Sequence, residues 1–147
     1  MIRELAPSEL DKLIPGAVQF YETASLPGKF NIEIFKKNWE MFFSTGIGMI
    51  FVLVDEAGEV YGGIGCVRVP DLMTDTMIAS EMFWYVMEGK RGEGMQLLRA
   101  FESWAKASGC NSMRMMHLSN VMPEELRAVY RRRGYREVEV AYEKEVG

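Results

Sequence analysis

The run Glu88-Gly89-Lys90-Arg91-Gly92-Glu93-Gly94 sets three glycines and two cations directly before an apolar-periodic stretch, Met95 to Ala105. A glycine turn feeding a helix aims backbone N–H groups and the positive end of the helix dipole at one point. That arrangement suits a diphosphate. The same glycines would also serve a plain tight turn needing positive φ at Gly92 or Gly94. Glu93 places a negative charge inside the knot, and it is expected to turn to solvent while the backbone does the binding. Two further residues could move a proton. His117 is the single histidine, and an unperturbed imidazole titrates near ~6.5, in the range of a general base. Glu81 is flanked by Met82, Phe83 and Trp84, and desolvation there would raise its pKa as base work requires. Each has a plainer alternative, His117 as a structural residue of an apolar strand and Glu81 as an edge or solvent-facing residue.

These groups must be held by a fold that 147 residues are enough to build as one domain with a real core. Hydrophobic residues make up 48% and charged ones 26%, values typical of a globular protein. No signal peptide is visible in Met1-Ile2-Arg3-Glu4-Leu5, and the longest apolar runs, such as Met49 to Val54, are too short to cross a bilayer. Cys66 and Cys110 make neither a disulfide framework nor a metal-ligand spacing, so a cytoplasmic setting and no metal are expected. A formal net charge of -4 argues against nucleic acid as the main partner.

Along the chain, Ile2 to Leu5 reads as a first strand, and Pro7-Ser8 opens a helix that Pro15 should kink or split. Asn31 can cap a second helix carrying Phe35, Trp39, Phe42 and Phe43 at helical spacing, with Gly46 near its end. The period then changes. Met49 to Val54, Val60 to Val69 and Met77 to Val86 read as a strand meander, in which Gly62, Gly63 and Gly65 mark a bulge or a close backbone approach. A helix from Met95 to Ser108 stacks Leu97, Leu98, Phe101, Trp104 and Ala105 on one stripe, and Gly109 stops it. Ser112 to Ser119 reads as a strand. Pro123 opens a last helix ending in Arg131-Arg132-Arg133-Gly134, and Tyr135 to Glu145 reads as a closing strand. The order implies an α+β fold, helices packed on a mostly antiparallel sheet.

Rival phosphate loops fail on particular residues. Gly89 and Gly94 have the spacing of a P-loop, but Met95-Gln96 stands where Lys-Ser/Thr is required. A dinucleotide fingerprint would need a glycine at Leu97 and a parallel βαβ unit. By contrast, Gly92-Glu93-Gly94-Met95-Gln96-Leu97-Leu98 resembles the acyl-CoA loop of the GNAT acetyltransferase superfamily. Ala128-Val129-Tyr130-Arg131-Arg132-Arg133-Gly134-Tyr135 is similar to that family's Tyr-x-x-x-Gly-Phe/Tyr helix end. With Asn120 ahead of this helix, the resemblance covers Met77 to Glu145.

The resemblance implies a GNAT-like sheet flanked by helices on both faces, acetyl-CoA as cosubstrate, and acetyl transfer by direct attack of a primary amine. It implies Tyr130 as the acid that protonates the leaving thiolate, a task fitting a phenol of pKa near ~10. Glu81 or His117 would then be the base, unless a water chain serves. Cofactor contacts fall on Arg91, Gly92, Glu93, Gly94, Met95 and Asn120, with Gly89 or Arg91 at the anchor position. Backbone N–H groups around Tyr85, Val86 and Met87 would polarise the thioester carbonyl. The acceptor would be a small-molecule or peptide amine near the first two helices, and many relatives form homodimers. Two other readings stay open: an acyl-CoA-binding module without turnover, and a toxin-like enzyme acetylating aminoacyl-tRNA.

Overall fold

Five strands form one sheet in a computed structural model that describes residues 1–147, apart from the side chain of Arg91. The strands are β1 (Ile2–Glu4), β2 (Gly48–Val54), β3 (Val60–Pro70), β4 (Met77–Val86) and β5 (Ser112–Arg114). They lie in sequence order, antiparallel from β1 to β4, with β5 parallel to β4. Four helices complete the fold: α1 (Ile14–Thr23), α2 (Ile32–Ser44), α3 (Gly94–Ala107) and α4 (Pro123–Arg132). The mostly antiparallel α+β layout is the one the residue pattern implies. By its contacts the chain falls into two compact units, Met1–Met116 and His117–Gly147.

Local chemistry sets the boundaries. Pro15 splits the first helical stretch into a 3-10 turn over Pro7–Leu13 and then α1, because its ring cannot continue the preceding ladder. The Asn31 side chain accepts from the Ile34 N–H at 3.0 Å and starts α2. Gly46 (φ 72°), Gly109 (φ 73°) and Gly134 (φ 89°) stop α2, α3 and α4 in the left-handed conformation that glycine adopts without strain.

In the larger unit, two layers cover the sheet. Leu10, Leu13 and Trp39 pack with Ile50, Val52, Val67 and Tyr85, and with the rings of Phe35 and Phe83. On the opposite face α3 buries Leu97, Leu98 and Phe101 completely. Each such side chain contributes roughly 1.5–3 kcal/mol on burial. The β3 glycines serve both expected purposes. A Cβ on Gly65 would lie 2.3 Å from Phe83 Cε1 and 2.6 Å from Trp39 Cζ2. Immediately after Gly65 the β3–β4 register shifts, with Phe83 opposite Gly65 and Glu81 opposite Cys66. Met82 is therefore the extra residue of a bulge.

Two strand expectations fail. The strand expected over Ser112 to Ser119 stops at Arg114. Just beyond it, the Met116 N–H donates to the Glu81 carboxyl, so a side chain takes the bond a strand partner would have used. The closing strand expected over Tyr135 to Glu145 is not formed. Its alternating Val138, Val140 and Tyr142 are 61%, 61% and 94% exposed. Alternation makes a strand only where a pleated neighbour accepts the apolar face.

Candidate functional site

The glycine knot lies between β4 and α3, as its sequence demands. A short 3-10 turn over Arg91–Glu93 leads into α3, which begins at Gly94. Positive φ falls at Gly89 (86°), not at Gly92 or Gly94 as the plain-turn alternative requires. Gly94 has a different constraint: a Cβ there would sit 3.3 Å from Val86 Cγ2 and 3.6 Å from Trp84. Gly92 faces open space. Glu93 occupies the position before α3 without capping it through its side chain. The first-turn N–H groups have no intrahelical acceptors, and α3 carries no acid in that turn. Met95 stands in the same turn, half-buried. The Arg91 side chain lies outside the described residues, so its part in the loop stays with the sequence argument.

Glu93 does not turn to solvent. It is half-buried, with its carboxylate beside the Tyr61 hydroxyl. Burial, then the neighbouring Glu93 carboxylate, raises the Tyr61 pKa. Lys90 Nζ lies 5.6 Å above the centre of the same ring, a cation–π contact. No sequence signal marked Tyr61, which is one aromatic in a glycine-rich strand.

The backbone before the loop is partly committed. The Met87 N–H donates to the Tyr61 carbonyl at 2.8 Å. Hydrogen-bonded pairs alternate in an antiparallel ladder, and the register runs Gly62–Val86, Gly63–Tyr85. The Tyr85 N–H therefore faces Gly63, while that of Val86 faces the other edge of β4. On that edge the ladder with β5 covers only Ile78–Ser80. Beside Val86 opens a cavity of about 90 Å³, lined by Gly16, Gln19, Phe20, Tyr85 and Glu88 among others. The Tyr85 hydroxyl is spent on the Leu13 carbonyl, at 3.3 Å.

Glu81 is 6% exposed, opposite Cys66 at 0%. Burial pushes its carboxyl up to about 8, against the smaller opposing effect of the Met116 N–H. The Cys66 thiol is raised by the same burial and by the neighbouring carboxylate.

In the smaller unit, Tyr130 and His117 come together. Their rings stack at 6.5 Å between centroids and 26° between planes. Tyr135 tilts against the Tyr130 ring at 5.7 Å between centroids. His117 Nδ1 lies 3.2 Å from the Leu118 carbonyl. Asn120 is exposed in the turn ahead of α4.

Comparison with known proteins identifies the family and the fold. The profile of the Acetyltransferase (GNAT) family matches residues 17–135. No curated protein sequence matches the chain. Among solved structures, a probable acetyltransferase superposes with a TM-score of 0.78 at 20% identity, covering 100% of this chain and 98% of that one. Glucosamine-6-phosphate N-acetyltransferase from Arabidopsis thaliana superposes at 0.73 and 16%, covering 100% and 98%. Ribosomal-protein-alanine N-acetyltransferase from Brucella melitensis biovar Abortus 2308 gives 0.71 and 15%, covering 99% of both chains. With that family profile running over residues 17–135, the chain belongs to the GNAT acetyltransferase family.

Proposed function

We propose that the protein is an acetyl-CoA-dependent N-acetyltransferase whose acceptor is a primary amine that attacks the thioester directly. One observation carries this reading. β4 runs past its short ladder with β5 and delivers a glycine turn to the uncapped N-terminus of α3. That turn fits the diphosphate of CoA: Gly92 faces open space, and Gly94 lets α3 start close against Val86. Gly92, Gly94 and Met95 would contact it through their backbone and Arg91 through its charge, with Asn120 as a further contact. We further read the two units as one acetyltransferase domain, since the matched family profile runs through both.

In this reading Val86 supplies the N–H that polarises the acetyl carbonyl, because the amides of Met87 and Tyr85 face β3. Glu81 is the base. Its pKa of about 8 matches a group that accepts a proton from an ammonium or a relaying water near neutrality. The amine nitrogen then bonds to the carbonyl carbon, and the carbon–sulfur bond breaks. Tyr130 returns a proton to the departing thiolate. His117, stacked on Tyr130, orients that ring and is the alternative base. The cavity beside Val86 lies against α1, on the side where an acceptor is expected. Glu81 lies on the other face of the sheet, so the proton reaches it through the relaying water.

Calorimetric titration of CoA and acetyl-CoA, followed by thiol release on a panel of amines, peptides and charged tRNA, tests the reading. Micromolar binding and release with at least one amine are expected. An absence of CoA binding would overturn it.

A further inference from the structure

Tyr61 meets the loop Met87–Glu93 at three places. Its backbone carbonyl accepts from the Met87 N–H at 2.8 Å, where the loop leaves β4. Its ring lies under Lys90 Nζ, 5.6 Å from the centroid, in the middle of the loop. Its hydroxyl lies beside the Glu93 carboxylate, where the loop enters α3. Tyr61, Lys90 and Glu93 line one cleft together with Asp55 and Glu56 of the β2–β3 turn.

The charges give this grip a purpose. Glu93 adjoins the helix end that would receive an anion, and a carboxylate free to swing there would compete for the same amides and repel the ligand. Its neighbours on the β2–β3 turn are the acids Asp55 and Glu56, which would also repel it. The hydroxyl of Tyr61 is the donor beside it on the β3 side.

We propose that Tyr61 is a positioning residue for cofactor binding: it clasps the loop at both ends and keeps the Glu93 carboxylate away from the α3 N-terminus, so that a diphosphate can bind there. The identity of the ligand rests on the acetyl-CoA reading given above; the clasp itself rests only on the three contacts.

Tyr61→Phe keeps the ring and the backbone carbonyl and removes only the hydroxyl. It should weaken CoA binding by about tenfold, the scale of one hydrogen bond to a charged group, with turnover at saturating acetyl-CoA within about twofold of the parent. Adding Glu93→Gln should restore affinity, because the released side chain no longer carries a charge; a purely structural loss would not recover. Hydrogen exchange of the loop amides, measured without ligand, provides an arm independent of CoA, with faster exchange expected in Tyr61→Phe. If the unsubstituted protein fails to bind CoA while loop exchange still quickens, the ligand assignment falls and the clasp stands. Unchanged loop exchange, or CoA binding to Tyr61→Phe as tight as to the parent, overturns the clasp. So does a double variant no tighter than Tyr61→Phe.

Discussion

Glu81 stands directly across the β3–β4 ladder from Cys66, a carboxyl and a thiol paired in the buried layer of the sheet. Burial holds the carboxyl protonated up to about pH 8, whereas in the unfolded chain it ionises near 4.5. The folded state thus binds the extra proton between these values. The stability this contributes is complete below about pH 4.5 and is lost as pH rises through about 8. Glu81→Gln should flatten that fall and raise the melting temperature at pH 9 by about 5 °C. A melting-temperature profile from pH 5 to 9 checks it, and parallel profiles for both proteins would contradict it.

The same group governs rate if it is the base. The parent enzyme should gain kcat as pH rises toward about 8 and level off above it, since only the ionised carboxyl accepts a proton. Glu81→Gln should lower kcat by about 10²-fold and abolish that limb. A surviving limb in Glu81→Gln would move the base to His117 or to water.

Tyr130→Phe retains the ring stacked on His117 and flanked by Tyr135, and removes one hydroxyl. Turnover should fall by about 10²-fold, with CoA affinity within about twofold. Steady-state kinetics and calorimetry separate the two. A collapse of affinity would mean that Tyr130 binds cofactor and does not act as the acid.

Gly65→Ala tests the packing beneath the site. Its methyl would meet the Phe83 ring at 2.3 Å and Trp39 at 2.6 Å, inside the contact limit of both. Destabilisation of about 2–3 kcal/mol is expected from urea unfolding. Phe83 lies on the strand that carries Glu81 and Val86, so turnover should fall with stability. A loss under about 0.5 kcal/mol would show that the rings repack freely.

Much of the fold was legible because its signals are local. Asn31 before α2, Pro123 opening α4, and Gly46, Gly109 and Gly134 closing helices each act within a few residues of themselves. The knot before α3 was legible for the same reason. The two misplaced strands depended on distant partners. Arg114 ends β5 where the Met116 amide bonds to Glu81, 35 residues earlier in the chain. Val138 and Val140 alternate correctly yet stay exposed. Within the site, the fate of Glu93 was hidden because its partner, Tyr61, lies on another strand, 32 residues away. Period and spacing carry no record of a contact made only in three dimensions.

The bulge at Met82 works as a parity switch. In an uninterrupted strand residues 81, 83 and 85 would share one side of the sheet. The extra residue instead leaves Phe83 and Tyr85 among the aromatic rings of the α1–α2 layer and sends Glu81 to the α3 side, opposite Cys66. Pairing Met82 in register, with no residue lost, would put Glu81 on the same face of the strand as Phe83. The carboxyl would then be delivered into a wall of rings, and the proposed proton acceptor would change compartments without any change in its identity.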